Sequence, residues 1–330
     1  MIVLLIGLLT ATNMTASDQA IVEIVKDAIA TNAALVRSGT TNFDVSRTVL
    51  GSRPTRVKGT FSWKGDDGLW TYRLSDPDSL ATGRGTYPQD IDEAPVEFML
   101  LSANKLYSYH AKSNSLHLYE FKGRNQALSS FFLFDLFPTT LWDRCCPPLR
   151  GEGRFWTEMI GLNSPGSQPN STHALTRISP TVYRHIRVDP DAGTLRSDYS
   201  LDFAGHVVAH DYECPLQKCR STHVRYEWQR IGLAVVLKHC ESKRMSPDDP
   251  NRVEAVYTAQ FDQTDVDTPV PSSKFSFDDF IKLLPRNTMV NNHITNKTYP
   301  LHKSSGLPDE SLQELVKKAR SGGLSKETKP

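Results

Sequence analysis

The sequence predicts a mainly β (α+β) protein with a single large curved antiparallel sheet, a half-open β-barrel whose concave face is covered by helices. Three observations predict this fold. After one N-terminal helix, the apolar period changes from that of a helix to that of a strand. Alternating segments then follow one another through short turns, which makes consecutive strands antiparallel neighbours. One face of these strands is apolar and aromatic, and the few helices are the available cover.

The first helix is predicted in DQAIVEIVKDAIATNAALVRSG, which begins at Asp18. Apolar side chains recur there at helical spacing, Asp18 is a candidate N-cap, and Gly39 is a candidate stop. The strands begin after it. TRVKGTFSWKG places Val57, Phe61 and Trp63 on one face, GDDG is a turn, and LWTYRLS returns with the same alternation.

The alternation recurs in VEFMLLS, KLYSYH and SLHLYEF, and then from ALTRISP to RVEAVYTAQFDQ, which gives roughly ten to twelve strands. Between these two groups, QALSSFFLFDLFPTTLW and RFWTEMIGL are predicted as short helices, and NSPGSQPNST as a loop. We expect residues 18–302 to form one domain, and residues 303–330 to form a short helix followed by a disordered tail.

Residues 1–17 are predicted to be a signal peptide, because the apolar run MIVLLIGLLTA is too short to span about 30 Å of hydrocarbon. The alternative is a buried N-terminal strand. No later segment resembles a membrane span. We therefore expect an exported, soluble protein of the periplasm or the extracellular space. The formal net charge of +1 provides no strong field to attract nucleic acid or an anionic membrane, and neither is expected as a partner.

Aromatic side chains fall repeatedly on the apolar faces of the predicted strands. They pack as core, or they line a cavity for an acyl chain or for apolar side chains. The candidate ligand-lining residues are Phe61, Trp63, Trp70, Tyr72, Tyr107, Tyr226, Trp228 and Tyr257.

The segment HVVAHDYECPLQKC carries the best candidate for a metal site. Even spacing places His206 and His210 on the same face of a strand, and Cys214 and Cys219 could complete a zinc site. The spacing of the cysteines is unusual for zinc, and in an oxidising compartment a disulfide between Cys214 and Cys219 is the favoured interpretation. No metal or other cofactor is therefore predicted.

Catalytic motifs are missing from the sequence. It contains neither a Gly-x-Ser-x-Gly elbow nor a His-Glu-x-x-His motif, and the carboxylates show no acid–base pairing. We therefore predict that the protein is not an enzyme. Several histidines sit singly in strands and are interpreted as surface residues. These are His110, His117, His173, His185 and His223.

The stretch FSFDDFIKLLPRNTMVNNHITNKTYPL is predicted to close the sheet. Asp278 and Asp279 open a short helix, Pro285 ends it, and TMVNNHITNKTY supplies the last strand. The helix would act as a plug over the open end of the sheet. Its apolar residues are Phe275, Phe277, Phe280 and Leu284.

Six features of the sequence carry a resemblance to a known family. They are the N-terminal signal, the first helix, VKGTFSWKGDDGLWTYRL, KLYSYHAKSNSLHLYEF, VRYEWQRIGLAVVLKH and the closing stretch. Together they resemble the LolA/LolB/RseB superfamily of bacterial envelope proteins, which includes outer-membrane lipoprotein-sorting-like proteins. The resemblance covers most of residues 19–301. It implies a half-barrel of about eleven strands whose concave face binds a lipid or a lipidated protein. The chain departs from the carrier pattern in its greater length, in the lack of a lipobox, and in Asn291 and Asn292.

Three functions follow as hypotheses. The first is a non-catalytic envelope protein that holds an acyl chain or a lipidated protein on its aromatic face. The second is a structural or sensory envelope module that recognises a protein partner through a sheet edge or through the polar loop 163–172. The third is a zinc-dependent enzyme, or a zinc-stabilised module, at His206, His210, Cys214 and Cys219.

Overall fold

A single sheet of fifteen strands dominates the computed structural model of the protein. The predicted class, a mainly β protein with one large open curved sheet and few helices, is confirmed. The predicted signal peptide up to residue 15, the predicted central helices and the tail 303–330 lie outside the described residues. The structure describes residues 16–65, 67–75, 88, 90–102, 105–120, 172–190, 193–214, 220–249 and 251–301.

Helix α1 spans Ala16–Leu35 and helix α2 spans Phe277–Lys282, with short 3-10 turns at Leu201–Phe203 and Ser272–Phe275. The strands are β1 (Ser38–Val49), β2 (Thr55–Lys64), β3 (Asp67–Ser75), β4 (Glu97–Ser102), β5 (Lys105–His110), β6 (Ser115–Glu120), β7 (Thr172–Arg177), β8 (Val182–Asp189), β9 (Gly193–Ser200), β10 (His206–Glu213), β11 (Thr222–Ile231), β12 (Ala234–Met245), β13 (Val253–Val266), β14 (Met289–Asn292) and β15 (Lys297–Pro300).

The strands lie in the order β15-β14-β6-β5-β4-β3-β2-β1-β13-β12-β11-β10-β9-β8-β7. Two meanders, β1 to β6 and β7 to β13, meet where β1 pairs with β13. The fifteen strands exceed the predicted number of about eleven. The expectation of a wholly antiparallel sheet is also wrong at one position, because β14 pairs with β6 in parallel, with Met289 opposite Ser115. A parallel pair requires a long connection, and the chain from β6 to β14 supplies one.

The two faces of the sheet carry separate apolar cores. Trp70 and Leu106 belong to the core that includes residues of α1, whereas their neighbours Leu69 and Tyr107 belong to the core that includes residues of α2. Because successive residues of a strand point to opposite faces, the two cores lie on opposite sides of the sheet. We call these sides the α1 face and the α2 face.

Helix α1 is fixed to its face by a buried asparagine. The Asn32 side chain donates to the Val235 carbonyl over 2.8 Å and accepts from the Val235 amide over 2.7 Å. At the end of the helix, the Trp63 indole donates to the Val36 carbonyl over 3.0 Å. Gly205 has a positive φ of 74°, and a Cβ there would lie 2.8 Å from Val25, so close packing against the helix requires glycine.

Helix α2 is the short closing helix that the sequence predicted. Ser276 caps it by accepting a hydrogen bond from the Asp279 amide over 3.1 Å, and Phe280 is completely buried. The segment packs on the α2 face, however, and not beside α1. The Tyr107 and Phe277 rings lie 4.7 Å apart, and Lys274 donates to Ser62 over 2.9 Å. The expectation that the helices share one face is therefore wrong.

The parallel pair β6–β14 is held at its start by Asn114. The Met289 amide donates to the Asn114 carbonyl over 2.9 Å, and the buried Thr288 hydroxyl donates to the Asn114 side chain over 3.0 Å. The Tyr109 hydroxyl donates to the same side-chain oxygen over 3.3 Å. These bonds fix the register in which the closing segment joins the sheet.

Replacing Phe280 tests how much the second core stabilises the fold. We expect Phe280→Ala to lower the free energy of unfolding by about 3–5 kcal/mol, because a completely buried phenylalanine leaves a cavity. Leu283→Ala, three residues further on and 48% exposed, is the matched control, and we expect a change of about 1 kcal/mol or less. Denaturant unfolding measures both variants. Equal losses would contradict the assignment of Phe280 to a core.

Candidate functional site

The α1 face carries a nearly continuous group of aromatic rings. The Phe61 ring lies 4.5 Å from the Trp70 ring and 5.4 Å from the Trp63 ring, in stacked arrangements. Of the residues predicted to line a ligand, all but Tyr107 belong to the core on this face. They are Phe61, Trp63, Trp70, Tyr72, Tyr226, Trp228 and Tyr257. The cross-strand register brings them together, as in the direct opposition of Phe61 and Trp70.

Tyr107 is separated from this group. It lies on the α2 face, where it contacts Phe277 and Phe280. Burial, with smaller contributions from Glu120 and Asp278, raises the pKa of Tyr107 to about 12. Alternation explains the separation, because Tyr107 follows Leu106, which points to the α1 face.

The three tryptophans of the α1 face differ in their polar contacts. The Trp63 indole donates to the Val36 carbonyl, and the Trp228 indole donates to the Val207 carbonyl over 2.8 Å. The Trp70 indole nitrogen is also buried but has no hydrogen-bond acceptor. It is a donor surrounded by apolar groups, on the face where a ligand was predicted to bind.

Three histidines meet at the β5–β6 end of the same face. His110 on β5 and His117 on β6 have ring centroids 5.2 Å apart, and His117 Nδ1 lies 3.0 Å from His293 Nε2. Each strand histidine also contacts a serine two residues before it in the chain. Ser108 lies 3.4 Å from His110, and Ser115 lies 3.2 Å from His117. We call His110, His117 and His293 the histidine cluster.

Glu97 on β4 lies beside this cluster. Its side chain is 1% exposed, and neither carboxylate oxygen has a hydrogen-bond donor. The nearest ionisable nitrogen, His110 Nδ1, is 3.8 Å from Glu97 Oε2, which is too far for a hydrogen bond. Glu97 was not among the predicted site residues. The signal in the sequence was a carboxylate at a position where strand alternation requires a core residue.

The interpretation of the strand histidines as single surface residues is wrong for His185, which is buried, and for His110 and His117, which are partly exposed but do not sit singly. His185 is buried, with 1% exposure, and His110 and His117 belong to the cluster. His223 pairs with Asp211 over 2.9 Å. The side chain of His173 lies outside the described residues.

The residues of the predicted zinc site have separate partners. His206 lies 2.9 Å from the Asn32 amide and stacks on Trp228, while His210 lies 2.9 Å from the Ser197 hydroxyl. Both histidines contact residues of the α1 face, and the strand carries a register shift between them, at Val207 to Ala209. The described residues contain no group of three or more histidine, cysteine, aspartate or glutamate side chains that could hold a metal ion.

Cys214 is disulfide-bonded. Cys219, its predicted partner, lies outside the described residues, so the pairing stays a prediction.

Comparisons with known proteins give likeness in structure only. No family model matches the chain, and no curated protein matches its sequence. Solved structures that share 8–10% identity with it were found. A LolA superfamily protein from Nitrosomonas europaea aligns over 78% of this chain and 99% of its own, with a TM-score of 0.43. A DUF1329 family protein from Desulfovibrio piger aligns over 78% and 98%, also with a TM-score of 0.43.

A third solved structure is an outer membrane lipoprotein-sorting protein domain from Vibrio parahaemolyticus. It aligns over 79% of this chain and 97% of its own, with 10% identity and a TM-score of 0.46. Within the described ranges, no helix has the length and apolar character needed to cross a membrane.

The histidine cluster makes the stability of the protein dependent on pH. Burial, followed by the charges of His110 and His293, lowers the pKa of His117 to about 4, from an ordinary value of about 6.5. The unfolded chain therefore takes up this proton more readily than the folded protein. The stabilisation is complete above about pH 6.5 and is lost as the pH falls from there towards 4.

The free energy of unfolding should decrease when the pH is lowered from about 7 to 5. We expect this decrease to be on the order of 1 kcal/mol larger in the wild type than in His117→Gln, allowing for the partial exposure of the ring. Denaturant unfolding at both pH values gives the comparison. His239→Gln, in the other meander, is the control that should keep the wild-type dependence. The same pH dependence in wild type and His117→Gln would refute the assignment.

Proposed function

We propose that the protein is an exported, non-catalytic binding protein of the bacterial cell envelope. It holds a lipid, or the acyl chains of a lipidated protein, against the aromatic rings of the α1 face. Binding is reversible and involves no covalent step. The resemblance of the sequence to envelope lipoprotein-sorting proteins agrees with this function, and the arrangement of side chains on the α1 face supports it independently.

The observation that carries the proposal is the unpaired indole of Trp70. A buried donor without an acceptor costs about 1–3 kcal/mol, and the other two indoles of this face have carbonyl acceptors within the protein. A lipid has an ester or amide carbonyl directly beside its acyl chain. Such a ligand would supply the acceptor for Trp70 and place its chain on Phe61 and Tyr72.

The second hypothesis is a module that binds a protein partner. The sheet ends in β7 on one side and in β15 on the other, and an edge strand can accept a further strand. Most of the loop 163–172 that was predicted for this role lies outside the described residues. Among the described residues of β7 and β15, no buried side-chain donor lacks an acceptor as the Trp70 indole does.

Delipidation of the purified protein followed by mass spectrometry tests the proposal directly. We expect acyl lipid to be released from the native protein in a stoichiometric amount and to bind again when it is added back. Protein that contains no lipid after purification and takes up none from micelles or vesicles would refute lipid binding. It would leave the partner hypothesis in place.

Substitution of Trp70 tests the role of its indole. Trp70→Phe keeps most of the ring volume and removes the N–H group, so we expect affinity for an ester-containing lipid to fall about five- to tenfold, the worth of one hydrogen bond. Displacement of a fluorescent fatty acid measures it. An alkane of the same chain length, which has no hydrogen-bond acceptor, should show a much smaller difference between variant and wild type.

Trp63→Phe is the matched control for this experiment. Its indole is bonded to Val36 inside the protein, so its loss should lower stability and leave lipid affinity close to that of the wild type. If Trp63→Phe and Trp70→Phe weaken binding equally, the effect is one of packing and the assigned hydrogen bond is wrong.

A further inference from the structure

The carboxylate of Glu97 is the most unusual polar group on the α1 face. It is almost completely buried, and neither oxygen accepts a hydrogen bond. No lysine or arginine in the described part of the chain forms an ion pair with it. Arg73, on the neighbouring strand, donates instead to the carbonyls of Asp92 and Ala94. An unpaired buried carboxylate is strongly unfavourable, so this position calls for a cation.

The histidine cluster does not supply this cation at hydrogen-bonding distance. His110 is 3.8 Å from Glu97, and His117, whose pKa is lowered to about 4, is neutral near pH 7. Neutral imidazoles accept hydrogen bonds through one ring nitrogen. The surroundings of Glu97 therefore combine a carboxyl group that accepts no hydrogen bond with a neutral imidazole, and this set of acceptors suits a protonated amine.

The side chains of the histidine cluster become less exposed towards Glu97. His293 is exposed, His117 is partly buried, and the His110 side chain is 30% exposed, whereas Glu97 lies deepest. Exposure thus falls steadily from the turn between β14 and β15 to the Glu97 carboxylate. A ligand headgroup can approach along this line of side chains.

The sheet register connects Glu97 to the aromatic rings. Glu97 lies opposite Tyr72, and Trp70 lies opposite Met99, so Glu97 and Trp70 are diagonal neighbours on the same face. Diagonal positions in an antiparallel pair are about 7–8 Å apart. A glycerophospholipid can span this distance between an amine in its headgroup and its first ester carbonyl.

From this geometry we infer that Glu97 is the counter-ion for an ammonium headgroup, and that the ligand is an aminolipid. The inference rests on the proposed function and specifies its ligand. The ammonium group binds between Glu97 and His110, the carbonyl accepts from Trp70, and the acyl chain lies along Phe61 and Tyr72.

Amphiphiles with one chain and different headgroups test the inference. Titration calorimetry would measure the binding of decylamine, decanol and decanoate to the wild-type protein at about pH 7, where the amine is protonated. We expect decylamine to bind about tenfold more tightly than decanol, and decanoate to bind most weakly. This comparison needs no variant, so it stands even if a substitution at Glu97 prevents folding.

Glu97→Gln removes the charge and keeps the size of the side chain. We expect it to abolish the preference for decylamine and to leave affinity for decanol unchanged. Glu93→Gln makes the same chemical change at an exposed carboxylate four residues away and should retain the preference. Far-UV circular dichroism establishes that each variant is folded.

The outcomes separate the two proposals. Equal binding of decylamine and decanol to the wild type, or a preference that survives in Glu97→Gln, overturns the inference and leaves lipid binding intact. Failure of all three amphiphiles to bind overturns the proposed function and the inference together. Free ethanolamine should not compete. If it does, the site takes small amines, and the assignment of an aminolipid is wrong.

Discussion

The structure depends on one constraint: both faces of the same sheet carry apolar side chains, and both faces must be buried. Each strand of the β3–β6 region places apolar side chains on both sides, and each side then requires its own cover. Helix α1 covers part of one side, where Asn32 and Trp63 make hydrogen bonds that hold it to the sheet. The closing segment covers the other side, where Phe280 is buried. The Trp70 indole and the Glu97 carboxylate, neither of which makes a hydrogen bond, lie on the α1 face.

The sequence predicts most of the fold because strand alternation is a local property. The segment HVVAHDYE was interpreted as one strand, and β10 spans His206–Glu213. The acidic residues Asp278 and Asp279 that open the closing helix and the Pro285 that ends it were equally local signals, and α2 spans Phe277–Lys282. The division between the faces was missed, although FMLL, from Phe98 to Leu101, is an unbroken apolar run of the kind found in strands that are buried on both sides.

The candidate site was predictable only in part. The aromatic rings of the α1 face follow from alternation alone, and only Tyr107 was placed with them wrongly. The histidine cluster depends on contacts that no local pattern contains. His110 and His117 meet through a hairpin, but His293 arrives from a segment that joins the sheet in parallel. The contacts of His206 and His210 are equally non-local, because their partners Asn32 and Ser197 come from other elements.

The position of β1 has a consequence for how the protein acquires its structure. This strand pairs with β2, which follows it directly, and with β13, which is made when most of the chain already exists. Contacts between residues so distant in sequence slow folding, because the closure of a long loop precedes any stabilisation. The two meanders therefore remain unjoined until β13 emerges, and the newly made chain exposes the edge of β1 throughout that time. Such an exposed edge can pair with another chain, so the same topology that joins the two meanders late also favours aggregation when the protein refolds at high concentration.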